Sequence, residues 1–286
     1  MPLIENPQFL CQPTFNGNSR VILAGILRLT PAGPCILPHE RVIPAHTHIL
    51  YHRIRQSGVQ ETPLLLMTSA VSLKEHRKPS AKLFQAILDQ PLIVADGHHR
   101  LFLAQRLARW TGMVTAGVAI LSLLDETPVI RPAHRIIHWA PKGWRRGVER
   151  RLEQSLGLAK SADGAIAVVS KQRTVYYGQG YGTADQLHAV EEAIRVSENQ
   201  IQWSYEGNTE RALGAIPQDA ETVILLPPVS LHTLLECART GRPLPPRSSN
   251  FDPKLPPGWL MSPVRAGSDA MRRASARFLP VDGLLA

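Results

Sequence analysis

Pro91-Leu-Ile-Val-Ala-Asp-Gly-His-His-Arg100, followed at once by Leu101-Phe-Leu-Ala-Gln-Arg-Leu-Ala-Arg-Trp110, decides how this chain is read. The first stretch begins with an apolar run of strand length. The second places Leu101, Ala104, Leu107 and Ala108 at helical spacing, so a strand, a tight turn and a helix are expected. Gly97 allows the turn, and Asp96 is in position to cap the helix. The first N–H groups of such a helix lack internal partners and carry the positive end of its dipole. Arg100, His98 and His99 add donors at the same point, which together make a phosphate-binding turn. A solvated turn with two ordinary histidines fits the same residues.

Working outward, an amphipathic helix over 79–90 leads into this stretch, with Leu83, Ala86, Ile87 and Leu88 inward. Upstream, Val21–Leu27 and Glu61–Met67 read as buried strands, and 46–57 as a helix. Residues 1–20 read as a loose start with a short strand near Phe9–Cys11. Cys35-Ile-Leu-Pro-His-Glu-Arg41 reads as a short strand ending in the pair His39-Glu40, with Cys35 buried. Downstream, Met113–Ser122 is a strand, and Val129–Ile137 a second one carrying His134-Arg135, with an edge or bulge at Pro132. Side chains alternate along a strand, so one member of that pair is expected to face outward.

Around 141–147 the composition turns basic and apolar density falls, which sets a boundary there. The division expected is 1–145 and 146–286. Beyond it, 165–170 and 174–177 form a hairpin and 184–196 a helix. Ile201–Tyr205 is a strand, Asn208 caps a short helix to Ala215, Val223–Leu226 is a strand and Leu231–Ala238 a helix. This mixture gives an α+β fold with a C-terminal α/β part. Residues 264–286 read as a frayed basic end.

The 286 residues carry a formal net charge of +9, spread without a Lys/Arg block. Anionic small molecules suit that balance. Nucleic acid as a partner is disfavoured, because no basic stretch is interleaved with aromatics. The three cysteines show no CxxC spacing, and no apolar run reaches membrane-spanning length, so the reading is a cytoplasmic protein without membrane contact. Nothing in the sequence speaks to an oligomeric state. His46, His48 and His52 raise a metal reading, with His48 and His52 on one helix face, but no glutamate follows His48 as in HExxH.

Three motifs in order, Ile36-Leu-Pro-His-Glu40, Ala95-Asp-Gly-His-His-Arg100 and Arg131-Pro-Ala-His-Arg135, resemble a domain-of-unknown-function family, number 1015 in its series. Arg247-Ser-Ser-Asn-Phe-Asp-Pro-Lys254 resembles that family's closing segment. The Asp-Gly-His-His-Arg box also resembles the phosphate box of the ParB/sulfiredoxin superfamily, to which the free-serine kinases belong. The chain departs from the family at Ala45-His-Thr-His-Ile49 and at Leu101-Phe102, positions on the side of the acceptor.

The resemblance implies a ParB/sulfiredoxin-like fold in which a nucleotide sits on the helix after Gly97. It also implies phosphoryl transfer to a small hydroxyl-bearing metabolite such as serine, with an upstream acidic residue as base. On this reading Glu40, beside His39, accepts the hydroxyl proton. His98, His99 and Arg100 hold phosphate. Asp96 caps the helix, holds Mg²⁺ through oxygen, or both. His134 and Arg135 close the pocket, and Ser249 and Lys254 in the tail fold back on the nucleotide. The nucleotide is ATP or ADP, with CTP a further option. A nucleotide-binding or DNA-associated ParB-type module without kinase chemistry is the alternative, and Glu40 is the residue that separates the two.

Overall fold

The computed structural model describes residues 4–13, 19–195, 200–218, 220–252, 254–255, 258 and 262–264. The frayed end expected over 264–286 lies outside the described residues except for its first position. The chain divides into two units. The first runs to Pro128 and resumes at Phe251; the second is Val129–Asn250.

The first unit is built on β1 (Ile4–Pro13), β2 (Ser19–Leu29), β3 (Ile36–Leu37), β5 (Leu64–Thr68), β6 (Leu92–Asp96) and β7 (Val114–Ser122). They form one mixed sheet in the order β1-β2-β7-β5-β6-β3. β2 runs antiparallel to β1 and β7, β5 is parallel to β7 and antiparallel to β6, and β3 is parallel to β6. A short β4 (Val59–Gln60) pairs with β15 (Ser262–Pro263). β1 is much longer than the strand expected near Phe9–Cys11: register with β2, rather than local apolar content, extends it. Cys35, expected buried, is exposed, because β3 begins only at the next residue.

The helices of this unit are α1 (Pro44–Ser57), α2 (Ala81–Leu88) and α3 (His98–Thr111). Pro44 starts α1, where its missing N–H costs nothing, and Gly58 in the left-handed region ends it by donating to Ile54 O at 2.8 Å. Ser80 caps α2, its hydroxyl accepting the Leu83 N–H. The core joins Leu23, Leu27, Leu64, Leu66, Val94, Val118 and Ile120 of the sheet to Tyr51, Leu101, Leu103 and Leu107 of the helices. Each such leucine is worth roughly 1.5–3 kcal/mol when fully buried. The three on α3 therefore fix that helix, and with it the turn at its start.

The second unit has a five-stranded antiparallel sheet in the order β11-β10-β13-β9-β12. Its strands are β9 (His134–Trp139), β10 (Ile166–Ser170), β11 (Thr174–Tyr177), β12 (Gln202–Glu206) and β13 (Thr222–Leu225). The helices are α4 (Trp144–Leu156), α5 (Thr183–Arg195), α6 (Thr209–Gly214) and α7 (Leu231–Thr240). Short strands β8 (Val129–Arg131) and β14 (Asn250–Asp252) complete the inventory of described elements. The single strand expected over 129–137 is two, because Pro132 interrupts the run. The chain is α+β, as the alternation of its segments requires.

The sequence-based boundary at 145/146 falls in the first turn of α4. By that point β9 has already paired with β12 and β13, so the chain has entered the second sheet before the composition changes.

Candidate functional site

β6 ends at Asp96 and α3 begins at His98, with Gly97 between them at φ 104° and ψ 28°. That conformation disfavours any side chain. A Cβ on Gly97 would also lie 2.9 Å from Arg100 Nη2 and 3.1 Å from Leu64 Cδ2. The turn is closed further by the Leu101 N–H donating to Gly97 O at 2.8 Å. Asp96, expected as the cap, does not cap: Gly97 holds that position and provides no side-chain cap. The Asp96 carboxylate instead accepts from Arg100 Nη2 at 2.9 Å. The strand end places Asp96 one helical turn from Arg100, within reach of the guanidinium.

Burial alone would raise the Asp96 pKa. The neighbouring Arg100 guanidinium, the Lys254 ammonium and the hydrogen bond from Arg100 outweigh it and hold the carboxyl below its ordinary value. Asp96 is thus an ionised carboxylate with its side chain 38% exposed. Arg100 Nε is buried without a hydrogen-bond partner in the protein. Leaving a buried donor so is costly, and an anion at the turn would satisfy this one, although Arg28 Nε is buried in the same way elsewhere.

The histidines of the box differ from one another. His98 is buried, and its Nε2 shares a hydrogen bond with His39 Nδ1 at 3.3 Å, the rings meeting edge to face. Burial and the nearby His39 push the His98 pKa down to about 3, so its ring is neutral near pH 7. His99 is half-buried, and its Nε2 accepts the Ile43 N–H at 2.9 Å, which leaves the ring proton on Nδ1. Arg100 is therefore the cation of the box, and the imidazoles act as neutral hydrogen-bonding groups.

His39 is fully buried, with Phe251 tilted against it at 6.0 Å between ring centroids. Its Nε2 lies 3.7 Å from Glu40 Oε1. Glu40, His39 and His98 thus form a buried run leading from β3 to the start of α3. Glu40 and His98 both line a cavity of about 370 Å³ between α1 and α3, whose walls include Pro38, Val42, Leu101 and Phe102. A carboxylate facing an open cavity beside the Gly97 turn can orient a hydroxyl and accept its proton.

On the outer face of α3 the sequence places Leu101-Phe102 on the acceptor side but does not single out Gln105 and Arg106. Phe102 and Arg106, one turn apart, border the cavity together with Leu101 and Gln105. An aromatic and a cation at i,i+4 on the solvent side of a helix were the available signal. His48 and His52 meet at 3.2 Å between their Nε2 atoms on the outer side of α1, and no group of three or more metal-ligating side chains is found among the described residues.

The remaining sequence-derived residues lie in two places. Lys254 belongs to the first unit, exposed, and its charge acts on Asp96. Ser249 is half-buried in the second unit. His134 and Arg135 sit on β9, both buried, because β9 is a central strand; the expectation that one faces solvent does not hold.

The sequence assigns this pair to the phosphate pocket; the hydrogen bonds described for it lie within the second unit. His134 Nδ1 accepts the Leu226 N–H at 3.1 Å, so its Nε2–H donates to Thr209 Oγ1 at 3.0 Å. Burial and the adjacent Arg135 push the His134 pKa down to about 4. Arg135 donates to the carbonyls of Ala133, Arg247 and Pro246, and its guanidinium lies 4.6 Å from the Tyr205 ring centroid.

No helix among the described residues is long and apolar enough to cross a membrane. No protein-family model matches the chain, so the resemblance to family 1015 rests on its four motifs alone, and no curated protein matches it. Among solved structures, a free serine kinase variant in complex with AMP matches with a TM-score of 0.58 at 16% identity, over 79% of this chain and 87% of that one. A conserved hypothetical protein from Pyrococcus furiosus matches at 0.58 and 16%, over 81% and 93%. SbnI with a C-terminal truncation, from Staphylococcus aureus, matches at 0.55 and 14%, over 91% and 97%. The mixed α+β architecture of this chain is that of the free serine kinase fold.

Proposed function

We propose that this chain is a phosphotransferase that moves a phosphoryl group from a nucleotide, ATP or ADP, to the hydroxyl of a small metabolite. The observation that carries the reading is Glu40: a buried carboxylate, backed by His39, that lines a cavity also bordered by His98 of the phosphate turn. The neighbouring free serine kinase structures hold AMP or ADP, which supports a nucleotide donor.

In the proposed reaction the phosphate chain of the nucleotide lies on the start of α3. The first helical N–H groups and Arg100 hold its oxygens. Glu40 orients the acceptor hydroxyl. As the hydroxyl oxygen bonds to phosphorus, its proton passes to the Glu40 carboxylate. The bond from phosphorus to the bridging oxygen breaks, and the electron pair leaves with the nucleotide. His39 positions Glu40 from behind. The ionised, partly exposed Asp96 is an oxygen ligand suited to Mg²⁺, which would come with the nucleotide phosphates and neutralise their charge.

The test is phosphorus NMR of the purified chain with Mg²⁺, ATP or ADP, and a pool of hydroxy acids and hydroxy amino acids that includes L-serine. A new phosphomonoester signal is expected. Nucleotide binding without any such signal would favour a binding module over a kinase.

A further inference from the structure

We propose that the acceptor is a hydroxy acid or hydroxy amino acid with a bulky apolar group, bound in the α1–α3 cavity, rather than a compound as small as serine. The inference rests on the phosphotransferase reading above. Its first ground is position. Glu40 and His98 are buried polar members of the cavity lining, so a molecule filling the cavity brings its hydroxyl to the proposed base.

Size is the second ground. About 370 Å³ falls in the range of small-molecule pockets, which runs from about 300 to 1,000 Å³. At about 30 Å³ per water, the space holds on the order of a dozen waters. Serine would displace only a fraction of them and would leave the apolar wall wet. The third ground is that wall itself. Val42 presents aliphatic surface, and Phe102 keeps 37% of its area exposed at the cavity edge. An aromatic or branched group placed against Phe102 would remove both surfaces from water.

The fourth ground is charge. Arg41 and Arg106 border the same space, and the Arg106 guanidinium is steadied 4.8 Å from the Trp110 ring centroid. A carboxylate on the acceptor matches them. Hydroxyl, apolar body and carboxylate therefore each meet a group of the lining. The step itself is the one given above, with the hydroxyl proton going to Glu40 and the nucleotide leaving.

Calorimetry on the full chain tests this with two probes, L-serine and β-phenylserine, each titrated with and without the non-hydrolysable ATP analogue AMP-PNP. β-Phenylserine should bind at least about tenfold more tightly than L-serine, as burial of an aromatic side chain implies. The analogue should leave its affinity within about twofold. Gln105→Trp, which fills the cavity, should weaken β-phenylserine by about tenfold or more while nucleotide affinity is kept. Phe102→Ala, at a more exposed position, should do the same.

Serine binding as tightly as β-phenylserine would overturn the inference. So would exclusion of β-phenylserine by AMP-PNP, which would mark the cavity as a nucleoside pocket, or indifference to both substitutions. Failure of the phosphotransferase reading looks different: no phosphomonoester forms from any acceptor, whatever the ranking of the two probes.

Discussion

His99-Arg100 and His134-Arg135 are the same dipeptide, one at the start of a helix in the first unit and one on a central strand in the second. At the helix start, Gly97 gives no side-chain cap, Arg100 answers the Asp96 carboxylate, and a cavity opens beside His98. On the strand, His134 uses both ring nitrogens, and Arg135 is braced by three carbonyls and the face of Tyr205. Residue type made the two look alike. Their settings separate them: one stands at a helix start beside a cavity, the other on a strand inside a sheet.

The largest effect should come from the acid end of the first region. Glu40→Gln should keep nucleotide affinity and lose about 10²–10⁴-fold in turnover, read by phosphorus NMR, since Gln preserves shape but accepts no proton. Unchanged turnover would remove Glu40 from the mechanism. Next, Arg135→Ala should cost on the order of 3 kcal/mol in urea unfolding, because it removes a buried side chain and strands the carbonyls that accept from it. Nucleotide affinity of the folded variant should stay within about twofold. A tenfold loss would place Arg135 with the phosphate site and dissolve the contrast.

Arg100→Ala should reverse that pattern, with affinity for ATP or ADP down about tenfold or more by calorimetry and stability little changed. The smallest effect should be in pH dependence. His134 titrates near 4 in the folded chain against 6.5 ordinarily, so between those values the unfolded chain binds more protons. Its contribution to stability is complete above about pH 6.5 and is lost as pH falls toward 4. His98 acts in the same direction down to about 3. His134→Asn should flatten the loss between pH 6.5 and 4, measured by urea unfolding across that range. An unaltered slope would mean that His134 is less buried than its partners imply.

The β6-turn-α3 unit was legible because strand run, glycine and helical spacing are local signals, and the same holds for α2, α5, α7 and the β10–β11 hairpin. Asn208 was legible as a cap, its side chain accepting the Arg211 N–H. α4 was missed because its many arginines mask the stripe Trp144, Val148, Leu152 and Leu156, buried at every fourth residue. Glu40 and the box were legible as residues, but their division of labour was not. Which imidazole is neutral, and that Asp96 answers Arg100 rather than the helix end, depend on burial and long-range neighbours such as His39 and Lys254. The cavity escaped notice for the same reason, since α1 and α3 meet only in three dimensions.

The division of the chain at Pro128 and Phe251 has a consequence in time. All six strands of the first sheet have been synthesised by Ser122, yet Phe251 against His39 and Lys254 near Asp96 come only after the whole second unit. At ribosomal rates of about 5–20 residues per second, that is a wait of roughly ten seconds. During that interval the nascent first unit carries Glu40, His39 and the Gly97 turn without the residues that later flank them. On the proposed reading, a nucleotide meeting the emerging chain would find the Gly97 turn before it found the finished site.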